Sequence, residues 1–204
     1  LPYTADARKE SMRGPRNPPS DNPEERPNWE RCITSLGLPP VTGMGTTSVN
    51  PRRFVQTPGY VVLHTEYGDE ARIIPLASAH KPRELYSPLG DSIARWEGDT
   101  LVVETTNFPA ERRVRGLPSL IVNPDAKVIE RITRVSQDEL LYQYTVEDPT
   151  KYSQVWKGEM ALNWSKEPFY EYACHEGNYA LEGILKGARV REAKGLPLEQ
   201  ANEE

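Results

Sequence analysis

The chain has 204 residues, a formal net charge of −5 and a hydrophobic share of 37%. This length suits one domain with a sizeable core, and the acidic balance argues against a nucleic-acid partner, because phosphate binding needs a clustered basic surface. No apolar run approaches the roughly 20 residues of a membrane helix, so no membrane span is expected. We therefore expect a small-molecule substrate or ligand as the partner, and self-association into an oligomer is left open.

Composition divides the chain into three parts. Residues 1–52 are rich in proline and charge and carry no lasting period, which predicts an irregular N-terminal arm with at most a helical turn or two over residues 5–12. Residues 53–195 carry strand and helix patterns and are expected to form one β-domain with a C-terminal helix. Residues 196–204 read as an acidic tail.

Two hairpins are expected between residues 60 and 106. In the first, residues 60–66 alternate in polarity and the chain returns over residues 71–75 after a turn that contains Gly68 and Asp69. In the second, residues 91–97 pair with residues 100–106 across Gly98 and Asp99. Such short connections make the strands of each hairpin antiparallel neighbours.

The rest of the pattern predicts further strands and one helix. Residues 107–125 read as a long loop. Asn178 is expected to cap the helix, and Gly195 to end it. The remaining strands are expected over residues 54–57, 127–135, 139–147, 154–164 and 169–174. About eight or nine strands in meander order, without crossover helices, predict an all-β fold, an antiparallel up-and-down β-barrel.

The two cysteines, Cys32 and Cys174, lie near opposite ends of the predicted folded part. In an oxidising compartment they would form a disulfide that fastens the arm to the last strand, worth about 4–5 kcal/mol in the chain-entropy model. The alternative is a pair of buried free thiols. No CxxC spacing indicates a metal or redox motif.

Several phrases resemble a group of secreted bacterial proteins, common in soil and freshwater genomes and mostly without an assigned function. They are QTPG at 56–59, the stretch around RIIPL at 72–76, RWEGDTLVVET at 95–105, IER at 129–131 and EYACHEGNY at 171–179. The resemblance covers residues 30–190 and implies export, to the periplasm or the medium. The order of a barrel and then a helix is similar to the lipocalin or calycin superfamily at the level of fold. That group carries a Gly-Arg-Pro-His-Pro run after the first hairpin, of which this chain keeps only His80.

His64 and Glu66 stand two residues apart on a predicted strand and so project to one face. Inside a barrel they would form a polar pair able to act as a base and its orienting partner, or as two metal ligands. On the other face they would be an ordinary surface pair, and Val62 on their side favours the interior. With Arg72 and Tyr144 they make up the predicted catalytic set.

A second set of residues is expected to bind substrate or to line the mouth of the barrel. An inward arginine would pair with a carboxylate, for which Glu66, Glu97 and Glu130 are available, or would bind a polar group of a substrate. The set consists of His80, Arg131, Tyr142, His175, Glu176 and Trp156. No metal-ligand spacing and no nucleotide-binding motif accompanies these residues, so no metal and no cofactor is expected.

Two functions are consistent with these patterns. The first is an exported barrel enzyme that uses general acid–base chemistry on a small polar, carbohydrate or aromatic substrate, with a lyase or hydratase favoured over a hydrolase, because no nucleophile motif is present. The alternative is a non-catalytic periplasmic barrel that binds a small molecule.

Overall fold

The computed structural model describes residues 1–8, 21–26, 30–33, 39–41, 51–77, 79–85, 87–109, 112–114 and 120–196. The remaining parts of the predicted arm and most of the acidic tail lie outside the described residues. Residues 5–8 are helical and residues 23–25 form a 3-10 turn. The predicted helical segment of the arm is thus present as far as residue 8.

The first sheet has three antiparallel strands in the order β1-β2-β3. They are β1 (Arg52–Gln56), β2 (Tyr60–Thr65) and β3 (Glu70–Pro75). Along β2 every second residue is buried, beginning with Val61, and along β3 the buried residues begin with Glu70. One face of this sheet is therefore the core face, and we call it the inner face.

The second sheet has five antiparallel strands in the order β10-β9-β8-β5-β4. They are β4 (Asp91–Glu97), β5 (Thr100–Thr106), β8 (Lys127–Arg134), β9 (Glu139–Glu147) and β10 (Trp156–Asn163). The hairpin of β4 and β5 has the register expected from its turn, with Glu97 opposite Thr100 and Gly98 at φ 58°. Glycine accepts this left-handed conformation without steric cost.

The core lies between the inner faces of the two sheets. Val61, Leu63 and Ile74 of the first sheet form one buried cluster with residues of the second, which are Ala94, Leu101, Val103, Ile132 and Tyr142. Val41, from the short described piece at residues 39–41, belongs to the same cluster and is 1% exposed. The arm therefore reaches the interior.

The prediction of an all-β antiparallel fold with a C-terminal helix is confirmed, but the sheets are not closed into a barrel. Between β3 and β4 the backbone pairing in the described structure is one parallel bridge, from Leu76 to Ala94. The long connector between these strands brings β4 back alongside the end of β3 instead of turning it into an antiparallel neighbour. The meander is broken at this point.

Two strand predictions differ from the structure. The predicted loop over residues 107–125 contains a short hairpin, β6 (Arg112–Val114) paired with β7 (Leu120–Val122). The predicted last strand at residues 169–174 is not a strand. There the backbone N–H of Tyr170 donates to the Glu66 carboxylate at 2.8 Å, a side-chain partner in place of a ladder partner.

The C-terminal helix, α1 (Tyr179–Ala193), is tied to the arm by a covalent bond and by hydrogen bonds. Cys32 and Cys174 form the predicted disulfide, with their Cα atoms 5.8 Å apart. Asn178 stands at the N-cap position but makes no capping bond, and its Nδ2 instead donates to the Glu30 carbonyl at 2.6 Å. The helix ends as predicted, with Gly195 at φ 64° just beyond it.

Within the described part of the chain, no helix is long and apolar enough to cross a bilayer.

Candidate functional site

A buried polar cluster crosses the interior between the two sheets. At its centre the guanidinium of Arg72 meets the carboxylate of Glu130 end-on, with Nη1–Oε1 at 3.1 Å and Nη2–Oε2 at 2.6 Å. The two side chains are 3% and 1% exposed. Arg72 comes from the first sheet and Glu130 from the second, so the ion pair joins the two inner faces.

Hydroxyl groups complete the surroundings of this ion pair. Nη2 of Arg72 also donates to Ser92 Oγ at 3.1 Å and to Thr105 Oγ1 at 3.2 Å. These two hydroxyls lie opposite each other on β4 and β5 and hydrogen-bond at 2.8 Å. A buried charged pair is tolerated when such bonds satisfy its remaining donors and acceptors, and this cluster comes close to that condition.

Tyr142 links the ion pair to the arm. Its hydroxyl donates to Glu130 Oε1 at 2.7 Å and accepts the backbone N–H of Val41 at 2.8 Å. Burial, and then the negative charge of Glu130, raise the pKa of Tyr142 well above its ordinary value. Tyr142 therefore stays a neutral donor over the physiological range.

In the part of the chain that the structure describes, four buried polar atoms of this cluster lack a hydrogen-bond partner. They are Nε and Nη2 of Arg52, Nε of Arg72 and Oγ1 of Thr65. Arg52 lies on the inner face of β1, directly opposite Thr65 in the strand register. Burial lowers the pKa of Arg52, while Tyr142 and Glu130 act in the opposite direction, which places Arg52 in the same electrostatic environment as the cluster.

Tyr144 and Trp156 lie beside this cluster, further along the inner face of the second sheet. Tyr144 stands opposite Glu130 on one side and Gly158 on the other. Burial raises the pKa of Tyr144, and its ring meets that of Trp156 edge-on at 5.7 Å. Nε1 of Trp156 is a further buried donor without a partner.

His64 and Glu66 lie on the other side of the first sheet. Val61, Leu63 and Thr65 occupy the inner face of β2. His64 therefore lies on the opposite face, and the interior position favoured by the sequence is not observed. The imidazole hydrogen-bonds Asp69 at 2.6 Å and packs on the Phe169 ring at 4.7 Å, and Glu66 accepts from Tyr170. Of the predicted catalytic set, the structure brings only Arg72 and Tyr144 to the interior.

The other predicted substrate-binding residues are dispersed. His80 lies between two carboxylates, Asp91 at 2.8 Å and Glu104 at 3.4 Å. Arg131 faces outward and bonds Glu97 at 2.8 Å, while His175 and Glu176 are exposed in the turn before α1. Only Tyr142 and Trp156 of this set reach the interior.

The sequence patterns did not indicate four residues of the interior cluster, which are Arg52, Thr65, Ser92 and Thr105. Arg52 was placed at the end of the arm, although it alternates with Phe54 at the start of a strand. Thr65 continues the face of Val61 and Leu63, a pattern that would have placed a hydroxyl on the core side. Glu130 had been named as an available carboxylate, and Arg72 is the arginine that it holds.

The outer face of the second sheet carries a separate pocket of about 350 Å³. Polar side chains that project from β8, β9 and β10 form much of its wall, namely Arg131, Gln143, Thr145, Lys157 and Glu159. Among the described residues no group of three histidine, cysteine, aspartate or glutamate side chains is arranged to hold a metal ion.

Comparison with known proteins gave no match to a protein-family model, a curated protein or a solved structure. The resemblance to secreted bacterial proteins and to calycins therefore stays a prediction.

Proposed function

We propose that the chain is an exported protein that binds a small molecule between its two sheets, at the polar cluster around Arg72 and Glu130. The observation that carries this proposal is the set of buried donors without a partner, on Arg52, Thr65 and Arg72. Such groups cost free energy in the absence of a partner and are rare in folded proteins. A ligand that supplies acceptors would complete the hydrogen bonds that the protein leaves open.

Acid–base catalysis, the first expectation from the sequence, has less support. Its four proposed residues lie on both sides of the first sheet, and a base must come within hydrogen-bond reach of the proton that it removes. His64 and Glu66 are already engaged by Asp69 and Tyr170. Binding of a ligand requires only the unpaired donors in the interior, so it explains them more simply than acid–base catalysis does.

Export is supported by the disulfide between Cys32 and Cys174, since such bonds persist in oxidising compartments and are rare in the cytosol. The calycin-like relationship and the periplasmic location expected from the sequence belong to the same proposal.

A thermal-shift screen of a small-molecule library tests the binding function. A ligand that binds only the folded state adds about 2.7 kcal/mol of stability at 100 times its Kd, which corresponds to a rise in Tm of about 5–10 °C for a chain of this size. Each hit is then measured on the Thr65→Val variant, which keeps the shape of the side chain and removes the interior hydroxyl.

The matched control is Thr145→Val, on the outer face of β9 and beside the outer pocket. We expect Thr65→Val to weaken binding and Thr145→Val to leave it unchanged. A screen without hits contradicts the proposal, and so does a ligand whose affinity responds to Thr145→Val alone, because such a ligand occupies the outer face.

A further inference from the structure

We propose that the ligand carries a carboxylate group and that Arg52 and Thr65 bind this group at one end of the interior. The inference rests on the binding function proposed above and names the chemical class of the ligand. It is drawn from the difference between the two interior arginines.

The charge of Arg72 is already matched within the protein. Its two terminal nitrogens, Nη1 and Nη2, face the two oxygens of Glu130. This end-on pairing leaves only Nε without a partner. A second carboxylate at Arg72 would lie beside Glu130 and be repelled by it.

No described residue forms an ion pair with Arg52, and the charge of Glu130 acts on it without a hydrogen bond. Its unpaired atoms are Nε and Nη2, which together form the side-on edge of a guanidinium. The N–H bonds on that edge are parallel, and their spacing matches the two oxygens of one carboxylate. A whole bidentate edge of Arg52 is therefore buried without an acceptor, in contrast to the single N–H that Arg72 has left, and a carboxylate would reach this edge by displacing the atoms that cover it.

Thr65, on the neighbouring strand, adds a third buried donor on the same inner face. Its residue is the direct register partner of Arg52, and its Oγ1 is buried without a partner. Glu70 faces the interior in the same row, on the far side of Thr65, and has an interaction of its own. Within the described structure, neither Glu70 nor Glu130 hydrogen-bonds the Nε–Nη2 edge of Arg52.

Tyr142 does not neutralise Arg52 either. Its hydroxyl keeps its proton and donates a hydrogen bond to Glu130. The pKa of Tyr142 lies well above its ordinary value, so no phenolate forms near neutral pH. Burial lowers the pKa of Arg52, which shows that the guanidinium is partly stripped of water. A ligand carboxylate would balance the positive charge of Arg52, and its two coplanar oxygens would accept hydrogen bonds from Nε and Nη2.

The ligand-free protein offers a first readout. A partly buried guanidinium without a partner is destabilising, so Arg52→Gln is expected to raise the Tm of the ligand-free protein by about 2–4 °C. The control is Arg53→Gln, the neighbouring residue on the outer face, where the guanidinium lies over the Phe169 ring. A fall in Tm for Arg52→Gln would mean that Arg52 holds the fold together, and it overturns the proposal.

The binding test compares acids with their primary amides, which have the same shape without the charge. The probes are benzoate, hexanoate and decanoate against benzamide, hexanamide and decanamide, measured by titration calorimetry on the full chain. We expect at least one acid to bind about tenfold or more tighter than its amide, and Arg52→Gln to remove that difference. Thr65→Val is the second variant, and we expect it to weaken the binding of the acid.

The outcomes separate this inference from the binding function. Equal affinity of acid and amide, or no binding by any of the three acids, overturns the carboxylate assignment, while neutral hits in the library screen keep the binding function. Tighter binding of hexyl phosphate than of hexanoate overturns the planar carboxylate in favour of a tetrahedral anion. A library without any hit overturns both.

Discussion

At the scale of single residues, the interior depends on one ion pair shared by two sheets. Arg72 and Glu130 are almost fully buried; Arg72 also donates to the Ser92 hydroxyl, and Glu130 also accepts from the Tyr142 hydroxyl. A buried pair of this kind contributes little net stability against an apolar replacement, but removal of one partner alone is costly, because the other is left as an isolated charge. The pair therefore fixes how the two inner faces meet.

The contribution of Tyr142 to the stability of the folded state depends on pH. Its folded-state pKa is raised above that of the unfolded chain, so its contribution to stability is fully present below about pH 10 and is lost as the pH rises toward the folded-state pKa. We expect the free energy of unfolding of the wild type to fall above pH 10 more steeply than that of Tyr142→Phe, with a difference in slope of up to about 1.4 kcal/mol per pH unit.

Urea unfolding at pH 9, 10 and 11 measures this slope. Tyr179→Phe is the control, since Tyr179 is 79% exposed. Parallel slopes for the wild type and Tyr142→Phe would contradict the buried position of the hydroxyl.

At the scale of elements, the pairing of β9 with β10 depends on a glycine. Gly158 is the register partner of Tyr144, and a Cβ at this position would collide with the phenol ring of Tyr144. The ring thus lies across the space that a side chain on β10 would fill. The absence of that side chain lets the two strands pair while Tyr144 stays on the inner face.

Gly158→Ala is expected to destabilise the protein by about 1–3 kcal/mol, the usual cost of overpacking. Tyr144→Leu should recover part of this loss when combined with Gly158→Ala, because the colliding ring is gone. A double-mutant cycle by urea unfolding measures the coupling. Strict additivity of the two substitutions would show that the ring and the glycine do not share this space.

The hairpins and the direction of the sheets could be predicted from the sequence, because alternation and turn residues are local signals. The break between β3 and β4 could not, since the connector's length permits more than one return path and only the packing of the sheets selects one. Residues 169–174 are rich in aromatic residues, which favour strands, yet Phe169 and the backbone of Tyr170 lie against His64 and Glu66 on the outer face of the first sheet.

The candidate site was predicted in part. Arg72, Tyr142 and Tyr144 follow from alternation on their own strands. Which face of β2 is buried depends on contacts with the second sheet, which a local pattern does not show. Thr65 therefore lies on the buried face, where His64 was expected. Arg52 stood at the boundary of the proline-rich arm, where local composition hides the start of a strand.

At the scale of the whole molecule, the disulfide joins residues 142 positions apart. In the chain-entropy model a loop of this length contributes about 4–5 kcal/mol by restricting the unfolded state. We expect the double variant Cys32→Ala/Cys174→Ala to fold with stability lowered by up to this amount, as measured by urea unfolding. Alkylation of the wild type before reduction should modify no thiol, and two modified thiols would contradict the bond.

The same bond turns residues 32–174 into a covalent ring that contains both sheets. Arg83 lies in the connector between β3 and β4 and is exposed within this ring. A protease that cuts the backbone after Arg83 therefore releases no fragment, because the two pieces remain joined through sulfur. The nicked molecule gains the mass of one water and runs as a single band on a non-reducing gel. A reductant breaks the disulfide and separates it into two chains.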